Sequence, residues 1–289
     1  MTIKVLVTGA GGMLGTDLVA ALGAGGFAVV AAARADLDIR VPEQVAAALP
    51  GVDIVINAAA WTDVDRAETE EAAATAINGT AVGTLAAACA QAGARLIQIS
   101  TDYVYSGKSV LPWAESEATD PVNAYGRGKE SGERAVFEHL GDRGYVVRTA
   151  WLYGAQGRNF VGTMLRLASQ RPTLDVVDDQ HGQPTWTCAL ADQLIELCRA
   201  AYAGKAPGGV YHGTASGQTT WYGLARAVFE LSGLDPDRVR PVDTAAFPRP
   251  AKRPSYSVLG HDRWAAADIA VQPMWQDQLR AALAQWPSH

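Results

Sequence analysis

The amino-acid sequence predicts an α/β fold, a doubly wound parallel sheet followed by a smaller C-terminal α/β domain. Two observations carry that expectation. Short runs of Val, Ile and Leu, too continuous for strands with one wet face, alternate with alanine-rich stretches of helical length. The first of these runs, Ile3-Lys-Val-Leu-Val7, leads at once into Thr8-Gly9-Ala-Gly11-Gly12-Met13-Leu14-Gly15 and a helix-like Thr16 to Leu22. This is the strand-turn-helix that opens a right-handed crossover.

The remaining elements follow in order. Ala28 to Ala33 reads as the second strand and Ile54-Val-Ile-Asn57 as the third, with a helix expected from Glu68 to Ala92. Leu96-Ile-Gln-Ile99 is the fourth strand and leaves Ser100-Thr101-Asp102-Tyr103 at its carboxyl end, where open α/β sheets bind their ligands. Tyr125-Gly-Arg-Gly-Lys129 opens a helix that Ser131 to Leu140 continue, and Tyr145-Val-Val-Arg148 is the fifth strand. Residues 1–150 are therefore expected to form the first domain, and 151–289 mainly the second, with segments around 174–203 returning to the sheet. Beyond Thr149 come a strand end at Trp151-Leu-Tyr153-Gly154, a helix at Phe160 to Ala168 and a strand at Leu174 to Val177. The polar run Asp178 to Thr185, a strand at Val210-Tyr-His212 and a helix from Thr220 to Leu231 follow. Last comes the basic loop Phe247-Pro-Arg249-Pro-Ala-Lys252-Arg253-Pro254, which fits a diphosphate site and a solvated surface equally well.

Composition narrows the function classes. With 48% hydrophobic residues in 289 and a mean hydropathy of +0.00, the chain can bury a full core. A net charge of −6 provides no basic face for nucleic acid. Cys89, Cys188 and Cys198 are widely spaced and His139, His181, His212, His261 and His289 show no ligand spacing, so neither a disulfide framework nor a bound metal is expected. The start has no signal-peptide pattern and no apolar run approaches about 18 residues, so the expected location is the cytoplasm, without a membrane partner.

Chemistry concentrates in two places. Gly9, Gly12 and Gly15, three apart after the first strand, suit a tight turn, close approach of backbone to a pyrophosphate, and an anion at the helix N-terminus. Arg34, at the end of the second strand, suits a 2′-phosphate where an acid would suit the free hydroxyl, although Asp36 and Asp38 follow. NADPH is therefore favoured, with NADH left open. The expected cofactor contacts are Gly9, Gly12, Met13, Leu14 and Gly15, then Arg34, Asp38 and Ile39, then Ala60, Trp61 and Thr62 past the third strand. Tyr125 and Lys129 stand four apart and share a helix face. A phenol of pKa ~10 must be helped by ~4 kcal/mol to work as an acid/base near neutrality, and a neighbouring ammonium in a cleft can supply that help.

These motifs resemble the extended short-chain dehydrogenase/reductases, whose nucleotide-binding half is a Rossmann fold, and within them the dTDP-4-dehydrorhamnose reductases. The likeness covers nearly the whole chain. It rests on the glycine turn, Asn57-Ala-Ala-Ala-Trp61-Thr62-Asp63-Val-Asp65-xx-Glu68, Ser100 to Gly107, Tyr125-xxx-Lys129, Arg148-Thr-Ala-Trp151-Leu-Tyr153 and Asp178-Asp179-Gln180-xx-Gln183-Pro184-Thr185. It implies NAD(P)H-dependent reduction of the C4 ketone of a dTDP-activated 6-deoxysugar, dTDP-4-dehydro-β-L-rhamnose to dTDP-β-L-rhamnose. In that reaction Tyr125 is the general acid, Lys129 lowers its pKa and holds the nicotinamide ribose, and Thr101 bonds the carbonyl oxygen. Thr101, Asp102, Tyr103, Tyr125 and Trp151 would meet the sugar. Trp61 and Tyr105 depart from the residues common in the family, and the interface glutamates through which some bacterial members hold a metal have no match here. A homodimer is compatible with the likeness. Two alternatives stand beside it, a reductase of another dTDP-4-keto-deoxy or branched sugar and a non-catalytic regulatory subunit, the latter opposed by the complete Thr101, Tyr125 and Lys129 set. Dehydratase chemistry lacks its acid, because Tyr103 follows Asp102.

Overall fold

The computed structural model describes residues 2–286. Its strands are β1 (Lys4–Thr8), β2 (Ala28–Ala32), β3 (Ile54–Asn57), β4 (Arg95–Thr101), β5 (Gly144–Thr149), β6 (Leu152–Tyr153), β7 (Leu174–Val177), β8 (His181–Gly182), β9 (Thr185–Trp186), β10 (Gly209–His212), β11 (Thr219–Thr220) and β12 (Val239–Val242). The helices are α1 (Met13–Ala24), α2 (Pro42–Ala48), α3 (Val64–Thr69), α4 (Glu71–Thr75), α5 (Ala81–Ala92), α6 (Ala124–Leu140), α7 (Phe160–Ala168), α8 (Thr187–Tyr202), α9 (Trp221–Leu231) and α10 (Trp275–Ala284).

Six strands form one sheet in the order β10-β5-β4-β3-β1-β2, every pair parallel. The doubly wound sheet predicted from the apolar runs is thus present. Parallel strands need both faces covered. On one face Leu14, Leu18 and Leu22 of α1 and Leu190, Leu194 and Cys198 of α8 pack on Val5, Val7, Ile54, Ile56 and Ile97. On the other, Val45 of α2, Val82 and Leu85 of α5 and Val136 of α6 meet Leu6, Val55, Leu96 and Val146. A further core gathers α7, α9 and α10 around Val161, Leu224, Phe229 and Leu279.

Two expectations need correction. The strand Leu174–Val177 does not return to the main sheet: it pairs with β12, while the returning strand is β10, beside β5, and 187–202 is a helix laid on the sheet. The helix expected from Glu68 to Ala92 begins earlier, at Val64, because the Asp63 carboxylate accepts from Arg66 N and caps it. It breaks at Glu70 (φ −126°, ψ 41°) and then widens into a π turn over Ala76–Thr80. The run Glu71–Ala92 is 22 residues long and, against the sequence reading, apolar enough by composition to cross a membrane. In the fold its Val82, Leu85, Ala86 and Cys89 are buried in the core cluster that also holds Val136 of α6.

Candidate active site at the switch point of the sheet

From β1 the chain runs one way to β2 and the other way through β3, β4, β5 and β10, so a crevice opens between the carboxyl ends of β1 and β3. One cavity of about 1090 Å³ occupies it. At one end it is lined by Arg34, Asp38, Ile39 and Arg40. Its middle is the glycine turn with Met13 and Leu14, and the segments Ala58–Ala60 and Thr62. At the other end are Ser100 to Tyr103, Tyr125, Lys129, Trp151, Trp221 and Arg253.

The glycine turn is shaped by steric necessity. Gly9 sits at φ +69°, and a Cβ there would lie 2.6 Å from Ala59 N, so the loops after β1 and β3 lie backbone to backbone. The helix α1 starts at Gly12 with no side-chain cap and no acidic residue in its first turn, which leaves its amides for an anion. Asp38 holds Arg40 through a 2.5 Å ion pair, which keeps its carboxyl at about 2. Trp61, expected to face the cleft, does not line it. Its backbone N–H and carbonyl are both bonded to the Asn78 side chain at 2.9 Å, its indole N–H donates to Asp63 O, and Arg66 lies over its ring.

The reacting end is assembled from β4 and α6. Asn123 caps α6 by accepting from Gly126 N at 2.8 Å. A Cβ on Gly126 would lie 2.2 Å from Tyr103 O, so only glycine lets the helix start this close to the turn after β4. Tyr125, on the first turn, is thereby set against Thr101, with the ring of Tyr103 edge-on at 6.1 Å. One turn on, Lys129 is buried and donates to Ile99 O at 2.6 Å. Burial, with the Asp102 charge adding to it and the Thr101 hydroxyl opposing, pushes the Tyr125 phenol up to about 12. Burial likewise pulls the Lys129 ammonium down to about 8, against the charge of Glu133. The expected drop of the phenol toward neutrality under Lys129 is therefore not what this geometry provides. The ammonium is committed to the Ile99 carbonyl, and both groups lose hydration in the same cleft. A phenol in this state stays protonated through neutral pH, as an acid for carbonyl reduction must.

Asp102 is almost wholly buried. Its Oδ1 accepts from the Thr101 hydroxyl at 3.0 Å while Oδ2 has no hydrogen-bond partner among the described residues, and burial, opposed by the Ser257 and Thr101 hydroxyls, pushes its carboxyl up to about 7. Trp151, just past β5, adopts φ +47°, a conformation that costs a non-glycine residue ~1–3 kcal/mol. It is held there by Trp221, stacked at 3.6 Å and 10°, and by the backbone of Gly182 against its ring.

The acidic motif after β3 proves to be a set of clasps. Asp63 caps α3, Asp65 bonds Arg253 at 2.9 Å and Arg249 at 3.4 Å, and Glu68 accepts from Ala124 N at the start of α6. The basic loop is thus tied across the crevice, with Arg253 in the cavity wall and Lys252 contributing its carbonyl to Asn123. Sequence reasoning missed Arg40, Arg158 and Trp221 as lining residues. Trp221 carried one usable signal, a large aromatic at a helix start after a polar loop; the two arginines carried none.

Comparison with known proteins extends this geometry. Over 284 residues the chain is 52% identical to a Streptomyces griseus protein named dTDP-4-dehydrorhamnose reductase, covering 97% of this chain and 91% of that one. It is 49% identical to a Streptomyces niveus protein named dTDP-4-keto-6-deoxy-D-glucose reductase, covering 98% and 97%. The crystal structure of dTDP-4-dehydrorhamnose reductase from Bacillus anthracis in complex with NADP superposes with a TM-score of 0.92 at 33% identity, over 99% of this chain and 100% of that one. The model of the RmlD substrate binding domain matches residues 3–287, and the chain belongs to that family.

Proposed function

We propose that this chain is an NADPH-dependent reductase of the C4 ketone of a dTDP-activated 6-deoxysugar, converting dTDP-4-dehydro-β-L-rhamnose to dTDP-β-L-rhamnose. The observation that carries the reading is that Thr101, Tyr125 and Lys129 meet in one cavity with the glycine turn and an aromatic wall of Trp151 and Trp221. The residues present fit the dinucleotide: free α1 amides for a pyrophosphate, Arg34 for a 2′-phosphate, and Asp38, held by Arg40, beside it for the ribose. Bound NADPH supplies the hydride that reduces the carbonyl carbon.

The chain supplies the rest. Tyr125 gives its phenolic proton to the oxygen on which charge develops, and Lys129 stabilises the phenolate left behind. Thr101, whose hydroxyl donates to Asp102, turns that proton toward the carbonyl oxygen when the ketone binds. The unpartnered Asp102 Oδ2 accepts from a sugar hydroxyl, and Trp151 walls the ring. A second reading has its own support in the Streptomyces niveus relative, whose name specifies a different ketosugar. A panel of dTDP-4-ketosugars assayed by NADPH oxidation separates the two. Turnover highest with dTDP-4-dehydro-β-L-rhamnose supports the first; clear preference for another ketosugar favours the second; no turnover of any would defeat both.

A further inference from the structure

The glycine turn has a second wall, made by the C-terminal half of the chain. After β6 the segment 154–158 folds back over α1. A Cβ built on Gly154 would meet Met13 Cγ at 3.4 Å, and one on Gly157 would meet Met13 Cβ at 3.7 Å. Asn159 fastens the segment: it caps α7 through Gly162 N, donates to Gly154 O at 2.7 Å and touches Met13 Sδ at 3.8 Å. From the far side the Thr187 hydroxyl donates to Asp17 of α1 at 2.5 Å and lies 3.2 Å from Tyr153 O.

Arg158, the next residue along, lines the same cavity as Gly11, Gly12 and Met13. It forms no ion pair among the described residues. Arg34 and Arg40 lie past β2, with Arg40 committed to Asp38. Arg158 instead follows Gly157, whose backbone lies against Met13 in the first turn of α1, and lines the cavity together with that turn. A guanidinium offers a planar fork of donors matched to phosphate oxygens, and the helix amides would engage the remaining ones.

We propose that Arg158 clamps the cofactor diphosphate from the C-terminal half of the chain, together with the α1 N-terminus. The clamp rests on the cofactor reading above. It makes the dinucleotide a bridge between the two halves, and it places the anchoring residue seven positions after Trp151 on the segment that also builds the sugar wall.

The diphosphate is common to NADPH and NADH, whereas the 2′-phosphate is not, and this gives the test. Dissociation constants for both cofactors are measured by fluorescence titration on the wild type, Arg158→Ala, Arg158→Lys and Arg34→Ala. Arg158→Ala should weaken NADPH and NADH by the same factor, about tenfold to a hundredfold for one charge-assisted phosphate contact, with Arg158→Lys in between. Arg34→Ala should weaken NADPH alone. Either cofactor should also protect the Arg158–Asn159 bond from trypsin, read by mass spectrometry of the fragments. A loss confined to NADPH would assign Arg158 to the 2′-phosphate and overturn the proposal, as would unchanged affinity for both. If the wild type bound neither cofactor, the cofactor reading would fall and the clamp with it; if it bound both and the variants matched it, only the clamp would fall.

Discussion

Behind the reacting groups runs a buried polar chain whose removal has a calculable effect. Glu133, one turn past Lys129, receives Arg148 through Nε at 3.0 Å and Nη2 at 2.6 Å, and receives the Ser100 hydroxyl at 2.5 Å. Arg148 Nη1 donates to Tyr105 Oη at 2.6 Å, and that hydroxyl lies 3.1 Å from His212 Nε2. His212 Nδ1 faces Gly260 O at 2.9 Å, and burial, reinforced by the Arg148 charge, pulls its pKa down to about 3, so it is neutral. Both charged side chains are 5% exposed. Arg148→Met would strand the Glu133 carboxylate without its cation and remove three donated bonds. Breaking a buried pair from one side costs ~3–5 kcal/mol, a large part of the ~5–15 kcal/mol that holds a domain together. Replacing both partners, as in Glu133→Leu/Arg148→Met, leaves no uncompensated charge and should recover much of that loss. Urea unfolding followed by tryptophan fluorescence measures all three proteins. A cost below about 1 kcal/mol for Arg148→Met is what an exposed pair would give, and it would refute the role assigned to this network.

Arg34→Ala should narrow the preference for NADPH over NADH by about tenfold to a hundredfold in dissociation constant; equal binding of the two by the wild type would contradict the 2′-phosphate assignment. Trp151→Ala removes a half-buried aromatic face worth ~1.5–3 kcal/mol and should raise KM for the ketosugar about tenfold to a hundredfold with NADPH affinity unchanged. An equal fall in NADPH affinity would make the ring packing instead. Asp102, raised by burial from 3.8 to about 7, holds its proton more tightly folded than unfolded. The stability this contributes is full below pH ~4 and is lost as pH rises through about 7. Asp102→Asn should therefore gain on the wild type in urea unfolding between pH 5 and 8. Parallel stability curves would show that Asp102 ionises freely in the fold.

How far the sequence could be read follows from which interactions are local. The strands β1, β3, β4 and β5 announce themselves because a parallel strand covered on both faces is largely apolar, and the glycine turn because steric closeness at Gly9 excludes other residues; the edge strand β2, mostly exposed, shows only as a run of Ala and Val. Tyr125 and Lys129 were legible because a helix turns four-residue spacing into proximity. The environment that sets their pKa values was not: burial depends on how Ala58–Ala60, Tyr103 and α6 converge, and it reversed the expected direction for the phenol. Within the π turn at Ala76–Thr80, Asn78 holds the Trp61 backbone, a contact 17 positions apart. Trp221 reaches Trp151 across 70 residues, and Arg253 reaches Asp65 across 188. The strand β7 shows the same limit, since its apolar pattern marks a strand but cannot name β12 as its partner.

The central claim is that the Tyr125 phenol delivers the proton in ketone reduction. Tyr125→Phe removes one oxygen and keeps the ring beside Tyr103, so fold and NADPH binding should be retained. The measurement is single-turnover reduction of dTDP-4-dehydro-β-L-rhamnose at saturating NADPH, beside a cofactor titration on the same preparation. Loss of a positioned general acid predicts a rate lower by ~10²–10⁴ with the dissociation constant for NADPH unchanged. Retention of more than about a tenth of the wild-type rate, smaller than any loss expected for a general acid, would contradict the account.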